Sequence, residues 1–301
     1  MVGKNASAVG KRLVVTGAGG QVGALLARQA GFRGFDVRAL THADLDITDE
    51  KAVRQQIVRD DFVVNCAAFT NVDGAESDPE GAHLLNVVGP GNLAQACADA
   101  DARLVHLSTD YVFDGKFDGG LPRPYEIDDT TAPLGEYARS KHEGELAIRG
   151  TAAAATIVRT SLVYTGGAGS DFIAFMRRCA NGAGTVDVVD DLTGSITYVR
   201  DLVAALLEIA EKDLRAPLLH VVNEGAVCRL DLARAIFAEL GADPDRVRPI
   251  SSDAFARPAP RPPYSALSMA KSTQAGLTAL RPWRIALLEA LATPVDEGVD
   301  R

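Results

Sequence analysis

Tyr137 and Lys141 stand four residues apart in the stretch "GEYARSKHEGELA", residues 135 to 147. In a helix this spacing puts both side chains on one face, one turn apart. A phenol beside an ammonium group could act as a proton donor, because the positive charge favours the phenolate and lowers a pKa that is ordinarily about 10. The spacing alone is weak support, since six tyrosines and seven lysines in 301 residues will often produce it by chance. A surface pair is the alternative, and the surrounding sequence decides between the two.

A glycine-rich turn, "TGAGGQVG" at residues 16–23, follows a short β-branched run and opens an apolar-striped helix. Glycines at this junction permit a tight turn and let the backbone approach a pyrophosphate, while the helix N-terminus offers unpaired N–H groups. The alternative is a turn without a ligand, but the position at the first strand-to-helix junction favours dinucleotide binding. The residues predicted to form this cradle are Gly17, Gly20, Gln21, Val22 and Gly23.

The third candidate site feature is the polar pair Thr109 and Asp110, which follows the apolar run "RLVHLS" at residues 103–108. In an open parallel sheet, ligands bind beyond the carboxyl ends of the strands. The glycine turn, a hydroxyl at a strand end and the Tyr137/Lys141 helix together predict carbonyl reduction. Tyr137 would protonate the developing alkoxide, Lys141 would lower the tyrosine pKa and bind the nicotinamide ribose, and Thr109 would polarise the substrate oxygen. His106 lies inside the strand and is interpreted as a packed residue, not a base.

The second predicted strand bears on the choice of dinucleotide. NAD-binding folds place an acid at its end, on the ribose hydroxyls, but here Leu40 and Thr41 stand at that point. A 2′-phosphate would not be repelled there, so we expect NADPH, with NADH tolerated. Asp46 and Ile47 lie where an adenine could be contacted. A turn or helix cap is an equally good interpretation of Asp46.

Strand and helix signals alternate through the first two-thirds of the chain. Continuous apolar runs at 12–16, 36–40, 62–68, 103–108 and 155–164 predict strands that are buried on both faces. Helical patterns separate them and predict βαβ units. The fold class is therefore α/β, a Rossmann-like doubly wound parallel sheet with a smaller C-terminal substrate domain. We assign residues 11–165 to the dinucleotide-binding domain, with 185–222 adding to the sheet, 166–184 and 223–293 to the substrate region, and 1–10 and 294–301 to flexible ends.

Composition excludes several classes of protein. A net charge of −9 argues against nucleic-acid binding, which needs a basic face. No apolar run is long enough to span a membrane. The four cysteines are far apart, with no zinc-ligand spacing, and indicate reduced thiols in the cytoplasm. The residue spacing shows no metal site. The oligomeric state is not determined by the sequence, and a homodimer is left open.

The sequence resembles the extended short-chain dehydrogenase/reductases, and within them the branch that reduces 4-keto sugars attached to dTDP. Matching stretches include "TGAGGQVG", "LDITD", "NVDGAES", "STDYVFDG" and "PAPRPPYSALS", and the resemblance spans about residues 12–292. It implies NADPH-dependent reduction of the C4 ketone of dTDP-6-deoxy-L-lyxo-4-hexulose to dTDP-L-rhamnose. It also implies catalysis by Tyr137, Lys141 and Thr109, substrate contacts from Thr109 and Asp110, and magnesium as described for some relatives. The implied cofactor contacts are Gly20, Gln21, Val22, Asp46, Ile47, Ala68, Phe69 and Thr70.

Three positions depart from the pattern of this branch. Leu162 stands where the family usually has a tryptophan that contacts the sugar nucleotide, Leu192 replaces glutamine and Ile196 replaces proline. All three are expected on the substrate side. Two other functions are therefore weighed: the same chemistry on another dTDP-deoxysugar, and a non-catalytic subunit that binds NADP(H). The complete set of Thr109, Tyr137 and Lys141 argues against the second.

Overall fold

A computed structural model describes residues 10–117, 119–167 and 169–292 of the chain. Its largest sheet has six parallel strands in the order β10-β5-β4-β3-β1-β2. This is a doubly wound order, because the chain reverses direction across the sheet after β2. In the described residues the strands are β1 (Arg12–Thr16), β2 (Asp36–Leu40), β3 (Phe62–Asn65), β4 (Arg103–Thr109), β5 (Ala154–Thr160), β6 (Val163–Tyr164), β7 (Val186–Val189), β8 (Thr193–Gly194), β9 (Thr197–Tyr198), β10 (Leu218–His220), β11 (Val227–Cys228) and β12 (Val247–Ile250).

Helices cover both faces of this sheet. Within one strand Leu13 and Val15 pack into one core and Val14 into the other, and all three are fully buried. The continuous apolar runs of the sequence are explained by this two-sided burial. The α-helices in the described part of the chain are α1 (Gln21–Phe32), α2 (Glu50–Gln56), α3 (Val72–Ser77), α4 (Pro79–His83), α5 (Gly89–Ala100), α6 (Glu136–Arg149), α7 (Phe172–Asn181), α8 (Val199–Lys212), α9 (Arg229–Glu239), α10 (Ala270–Gln274) and α11 (Trp283–Ala292), with a π-helical turn at Leu84–Val88.

The strand expected over 155–164 is divided in two. Leu162 adopts φ +33°, so the chain turns between β5 and β6. A non-glycine residue at positive φ is uncommon and marks a sharp local turn. β6 then leaves the main sheet and pairs with β9.

The segment 185–222 joins the main sheet only in part, which corrects the expectation. β10 pairs with β5 at the sheet edge, whereas β7 pairs with β12 in a separate two-stranded sheet. Only Val188 of β7 is fully buried, so this strand suits a small, half-exposed sheet better than a central position. The C-terminal helices α9 and α11 pack against this smaller region.

The predicted flexible ends fall almost entirely outside the described residues, at 1–9 and 294–301. Gly10 is described, and its N–H donates to the Gly34 carbonyl at 3.1 Å. Among the helices that the structure describes, none combines the length and apolar character needed to cross a bilayer.

Candidate active site

The glycine turn between β1 and α1 leaves no room for side chains at two of its positions. Gly17 has φ +67°, and a Cβ there would lie 2.5 Å from the backbone nitrogen of Ala67. A Cβ at Gly23 would lie 2.4 Å from the Gly17 carbonyl oxygen. At Gly20 the nearest atom to such a Cβ is 3.5 Å away, so the turn is open on that side.

The N-terminus of α1 is suited to an anion. Gly20 is the N-cap and makes no side-chain cap, and no acidic residue occupies the first turn, which includes Gln21 and Val22. The unpaired N–H groups and the partial positive charge of the twelve-residue helix therefore point into the open side of the turn. These features fit the pyrophosphate of a dinucleotide.

An acid does reach the end of β2, which the linear sequence did not show. The Thr41 N–H and hydroxyl both donate to Oδ2 of Asp44, at 2.9 and 2.7 Å. The Ala18 N–H donates to the Leu40 carbonyl, and the Thr41 methyl lies 3.9 Å from the Cβ position of Gly19. The hydrogen bonds from Thr41 lower the pKa of Asp44. A carboxylate thus stands where a dinucleotide-binding fold reads the ribose.

Arg38, the arginine of β2 that could have paired with a 2′-phosphate, does not point to this site. Its Nε donates to the side chain of Gln56 at 3.0 Å.

Asp46 forms a turn, which confirms the alternative interpretation of this residue. Its Oδ1 accepts from the Thr48 N–H at 2.9 Å and from the Thr48 hydroxyl at 2.8 Å, and these bonds lower its pKa. Ile47 is buried and faces Gly89 of α5. Both residues adjoin the cofactor side of the sheet, and contact with an adenine stays a prediction.

The loop after β3, which contains Ala68, Phe69 and Thr70, is held by a residue that sequence reasoning missed. Asn86, in the π-helical turn, accepts from the Phe69 N–H at 2.9 Å and donates to the Phe69 carbonyl at 3.1 Å. It also donates to the Ser140 hydroxyl on α6 at 3.0 Å. The sequence signal for this role was an asparagine inside an otherwise apolar helical pattern, and the structure shows that it is buried and fully hydrogen-bonded.

Lys141 projects from α6 onto β4. Its Nζ donates to the Leu107 carbonyl at 2.6 Å and lies 3.4 Å from Nε2 of His106. Burial lowers the pKa of this lysine to about 8. Lys141 is therefore a buried group held against the sheet, and the surface-pair interpretation is wrong.

Tyr137 does not have the lowered pKa that its spacing from Lys141 suggested. Burial raises the pKa of the phenol, and the opposing effect is a hydrogen bond with Thr109. The reason is geometric, because the Lys141 amine is directed to Leu107 and His106. Thr109 and Tyr137 are nonetheless brought together, and the ring of Tyr111 packs edge-on against Tyr137 at 6.3 Å.

Asp110 is buried beneath this group. Its Oδ2 accepts from the Ser161 hydroxyl at 2.7 Å, and its Oδ1 accepts from Thr109 at 3.2 Å. Burial raises its pKa. The Asp110 side chain therefore holds the hydroxyls of Thr109 and Ser161 in place by hydrogen bonds, and its contact with substrate stays a prediction.

A cavity of about 590 Å³ opens beside Tyr111, and Leu162 and Leu192 line it. Ile196, the third departure from the family pattern, is fully buried in the core and does not line it. Three arginines face the cavity, and the sequence reasoning had singled out none of them. The arginines and the aromatic residues that line it are Arg229, Arg257, Arg261, Tyr111, Phe172 and Phe255.

These arginines are held in place by neighbours. Arg229 lies 5.8 Å from the ring centre of Phe172, and Arg257 lies 4.9 Å from that of Phe255. Arg261 donates to Asp73 at 2.8 Å. Positive charges beside aromatic faces suit a nucleoside diphosphate, since the charges match the phosphates and the rings match a base.

Within residues 10–117, 119–167 and 169–292, no group of three or more His, Cys, Asp or Glu side chains is placed to hold a metal ion. The magnesium implied by the resemblance has no support from these residues.

Comparison with known proteins identifies relatives along nearly the whole chain. The profile of the family described as RmlD substrate binding domain matches residues 11–295. The dTDP-4-dehydrorhamnose reductase of Mycobacterium tuberculosis H37Rv is 56% identical over 292 residues, covering 97% of this chain and 96% of that protein. The enzyme of the same name from Mycolicibacterium smegmatis is 53% identical, over 96% of this chain and 88% of the relative.

A solved structure has the same fold. The crystal structure of dTDP-4-dehydrorhamnose reductase from Bacillus anthracis, in complex with NADP, superposes with a TM-score of 0.87. The two chains are 32% identical, and the match covers 93% of this chain and 98% of the other.

Proposed function

The chain belongs to the RmlD family of dTDP-4-dehydrorhamnose reductases, and we propose that Tyr137, Lys141 and Thr109 perform its chemistry. It is an NAD(P)H-dependent oxidoreductase that catalyses the reduction step of dTDP-rhamnose synthesis. In this step the C4 ketone of dTDP-4-dehydrorhamnose becomes the alcohol of dTDP-L-rhamnose.

One observation supports the residue assignment most strongly. The Tyr111 ring lines the arginine-rich cavity and also packs against the ring of Tyr137. A sugar attached to a diphosphate in this cavity would therefore present its ketone near the phenol of Tyr137 and the hydroxyl of Thr109. The main sheet would then bind the cofactor, and the smaller region around β7, β12, α9 and α11 would bind the substrate.

The raised pKa of Tyr137 keeps the phenol protonated at neutral pH, so it has a proton to donate. When bound, the nicotinamide supplies the hydride that reduces the ketone carbon. The Tyr137 hydroxyl then donates its proton to the developing alkoxide, and Thr109 hydrogen bonds to the same oxygen. Lys141, charged below a pH of about 8, would hold the nicotinamide ribose, and its charge would favour the phenolate through space while its amine contacts Leu107 and His106.

The glycine turn and the N-terminus of α1 would hold the pyrophosphate, with Gly17 and Gly23 permitting the tight turn and Gly20 giving the close approach. The loop from Ala68 to Thr70 would line the nicotinamide side. The B. anthracis relative binds NADP, and we propose NADPH with NADH also accepted. Asp44 at the end of β2 is the residue that keeps NADH competitive.

Asp44→Asn should shift binding towards NADP. Asparagine keeps an oxygen for the two Thr41 bonds, but it removes a negative charge from the side of the 2′-phosphate. Like charges close together repel even in a wet site, so we expect the ratio of Kd(NAD⁺) to Kd(NADP⁺) to rise by roughly fivefold. Isothermal titration calorimetry measures both constants.

Asp49→Asn is the matched control for this prediction. Asp49 caps α2 and accepts from the Ala52 N–H. Asp49→Asn therefore removes the same negative charge from a position away from the end of β2. An equal shift in both variants would mean that Asp44 acts only through net charge.

Leu162→Trp should tighten the dTDP-sugar. Leu162 lines the cavity, and an indole restores an aromatic face worth about 1 kcal/mol, or roughly fivefold in Kd. Titration of the apo enzyme with dTDP-L-rhamnose measures the effect. Weaker binding would show that the cavity, with its other aromatic residues, has no space for a ring at this position.

The function itself is tested by NADPH oxidation. The purified protein would receive dTDP-4-keto-6-deoxyglucose together with the 3,5-epimerase, and the product would be identified. Formation of dTDP-L-rhamnose is expected. Tight NADPH binding without turnover would support the non-catalytic alternative, and turnover of another keto sugar alone would support the other-deoxysugar alternative.

The four cysteines are all unpaired. This supports the proposed location in the cytoplasm, where thiols stay reduced.

A further inference from the structure

His106 lies fully buried in β4 between two polar side chains. Its Nδ1 is 3.0 Å from Nδ2 of Asn65, and its Nε2 is 3.4 Å from Nζ of Lys141. The mechanism above gives His106 no role. A buried imidazole in contact with a lysine of the proposed active site nevertheless affects whether that lysine is charged.

The hydrogen bonds of Asn65 determine which ring nitrogen of His106 has the proton. The Ala67 N–H can only donate, and it lies 3.0 Å from one end of the Asn65 amide, so that end is the oxygen. The Thr16 hydroxyl donates to the same oxygen at 2.7 Å. The NH₂ end of Asn65 therefore faces His106 and donates to Nδ1. Burial and the charge of Lys141 both lower the pKa of His106, so the ring is neutral and its proton is on Nε2.

This tautomer places an N–H donor against the amine of Lys141. An ammonium group has no lone pair and cannot accept from Nε2–H, whereas a neutral amine can. We propose that His106 is a positioning residue for Lys141, and that its Nε2–H stabilises the neutral amine and opposes the ammonium form. The consequence for catalysis rests on the proposed role of Lys141, but the effect on its charge does not.

Other groups near Lys141 act in both directions. Glu145, one turn further along α6, and the Cys66 thiol after β3 both favour the charged form, while burial disfavours it. Glu145 is itself paired with Arg159 on β5, at 2.7 Å. The Lys141 Nζ also donates to the Leu107 carbonyl. His106 is the neighbour whose contribution a substitution can reverse without adding or removing a charge.

Two variants separate the two faces of the ring. His106→Gln places an amide near the position of Nε2 that can turn its oxygen towards the Lys141 ammonium, and His106→Asn keeps an acceptor near the position of Nδ1 for Asn65 but places nothing against Lys141. Both are uncharged amides, so both have a similar polar group to bury. Thermal unfolding of the two proteins would confirm that each is folded.

The test is a direct titration of Lys141. The chain has seven lysines, so ¹³Cε-lysine labelling gives a resolvable set of signals, and Lys141→Met identifies the one from Lys141. In the apo protein we expect its midpoint to rise by about one pH unit in His106→Asn, the size of one ordinary hydrogen bond, and to rise further in His106→Gln, where an acceptor replaces the donor. Unchanged midpoints in both variants, or equal shifts in both, would overturn the proposal.

The pH profile of turnover is the second readout. If the Lys141 ammonium is required, activity is present below its pKa and is lost as pH rises through about 8. The alkaline limb should then move to higher pH in His106→Asn, and further in His106→Gln. A shifted NMR midpoint with an unshifted limb would retain the proposal for His106 and reject the catalytic role of Lys141. A purely structural role would lower activity at every pH without moving the limb.

Discussion

Tyr137→Phe is expected to lower kcat by at least about 100-fold, the lower end for removal of a positioned proton donor. The substitution removes one oxygen and keeps the ring that packs against Tyr111. Burial raises the pKa of Tyr137, so the parent enzyme holds this proton throughout the neutral range. Steady-state NADPH oxidation measures the loss, and calorimetry should show cofactor binding largely kept.

Tyr111→Phe is the matched control, because it loses the same atom from the neighbouring ring. Tyr111 lines the cavity, so its loss should affect mainly KM and leave kcat within about threefold, the size of one ordinary hydrogen bond. Equal losses of kcat in the two variants would reject Tyr137 as the proton donor. Unchanged turnover in Tyr137→Phe would do so directly.

Glu145→Gln is expected to lower the free energy of unfolding by about 3–5 kcal/mol, the usual cost of breaking a buried ion pair. Glu145 is fully buried and accepts from Arg159 Nε at 2.8 Å, from Arg159 Nη2 at 2.7 Å and from the Ser108 hydroxyl at 2.6 Å. Glutamine has the same shape but leaves the buried guanidinium of Arg159 without a counter-charge. Urea denaturation at neutral pH measures the loss.

The same pair gives stability a pH dependence with a definite sign. Burial raises the pKa of Glu145, but the hydrogen bonds and charge of Arg159 outweigh it, and the net pKa is lowered. The stabilisation is therefore present above the ordinary glutamate pKa and is lost as pH falls through the folded-state value. This acid-side loss should be absent in Glu145→Gln.

Glu143→Gln is the control for this stability prediction. Glu143 lies on the same helix with a half-exposed side chain, and its neutralisation should change stability by no more than about 0.5 kcal/mol. The double variant Glu145→Gln, Arg159→Met should recover part of the loss, because it also removes the unpaired charge. A loss below about 1 kcal/mol in the single variant would mean that water reaches Arg159.

The helices and strands of the sheet domain were largely predictable, because their signals are local. The apolar runs at Arg12–Thr16 and Arg103–Thr109 became buried strands, and the glycine turn lies where the strand-to-helix junction requires it. The β7 pairing was not predictable. Its partner β12 is some sixty residues further along the chain, and no local pattern identifies a partner at that distance.

The chemistry near Lys141 shows the limit of spacing as a guide. The four-residue interval placed Tyr137 and Lys141 on one helical turn, but it could not show which way the lysine amine would point. β4 supplies the Leu107 carbonyl and His106, so the amine turns towards the sheet and Thr109 becomes the partner of the phenol. The direction of the Tyr137 pKa shift therefore depended on packing.

By itself, the sequence determined the reaction class, since the glycine turn, Thr109 and the Tyr137/Lys141 helix are short motifs whose geometry is set within a few residues. Only the tertiary structure decided the electrostatics around them. It folded Asp44 back onto the end of β2, gathered Arg229 and Arg257 beside Tyr111, and placed Asn65 so that His106 turns an N–H to Lys141. Charge interactions and desolvation act through space between residues that are remote along the chain, so no spacing rule could have predicted them.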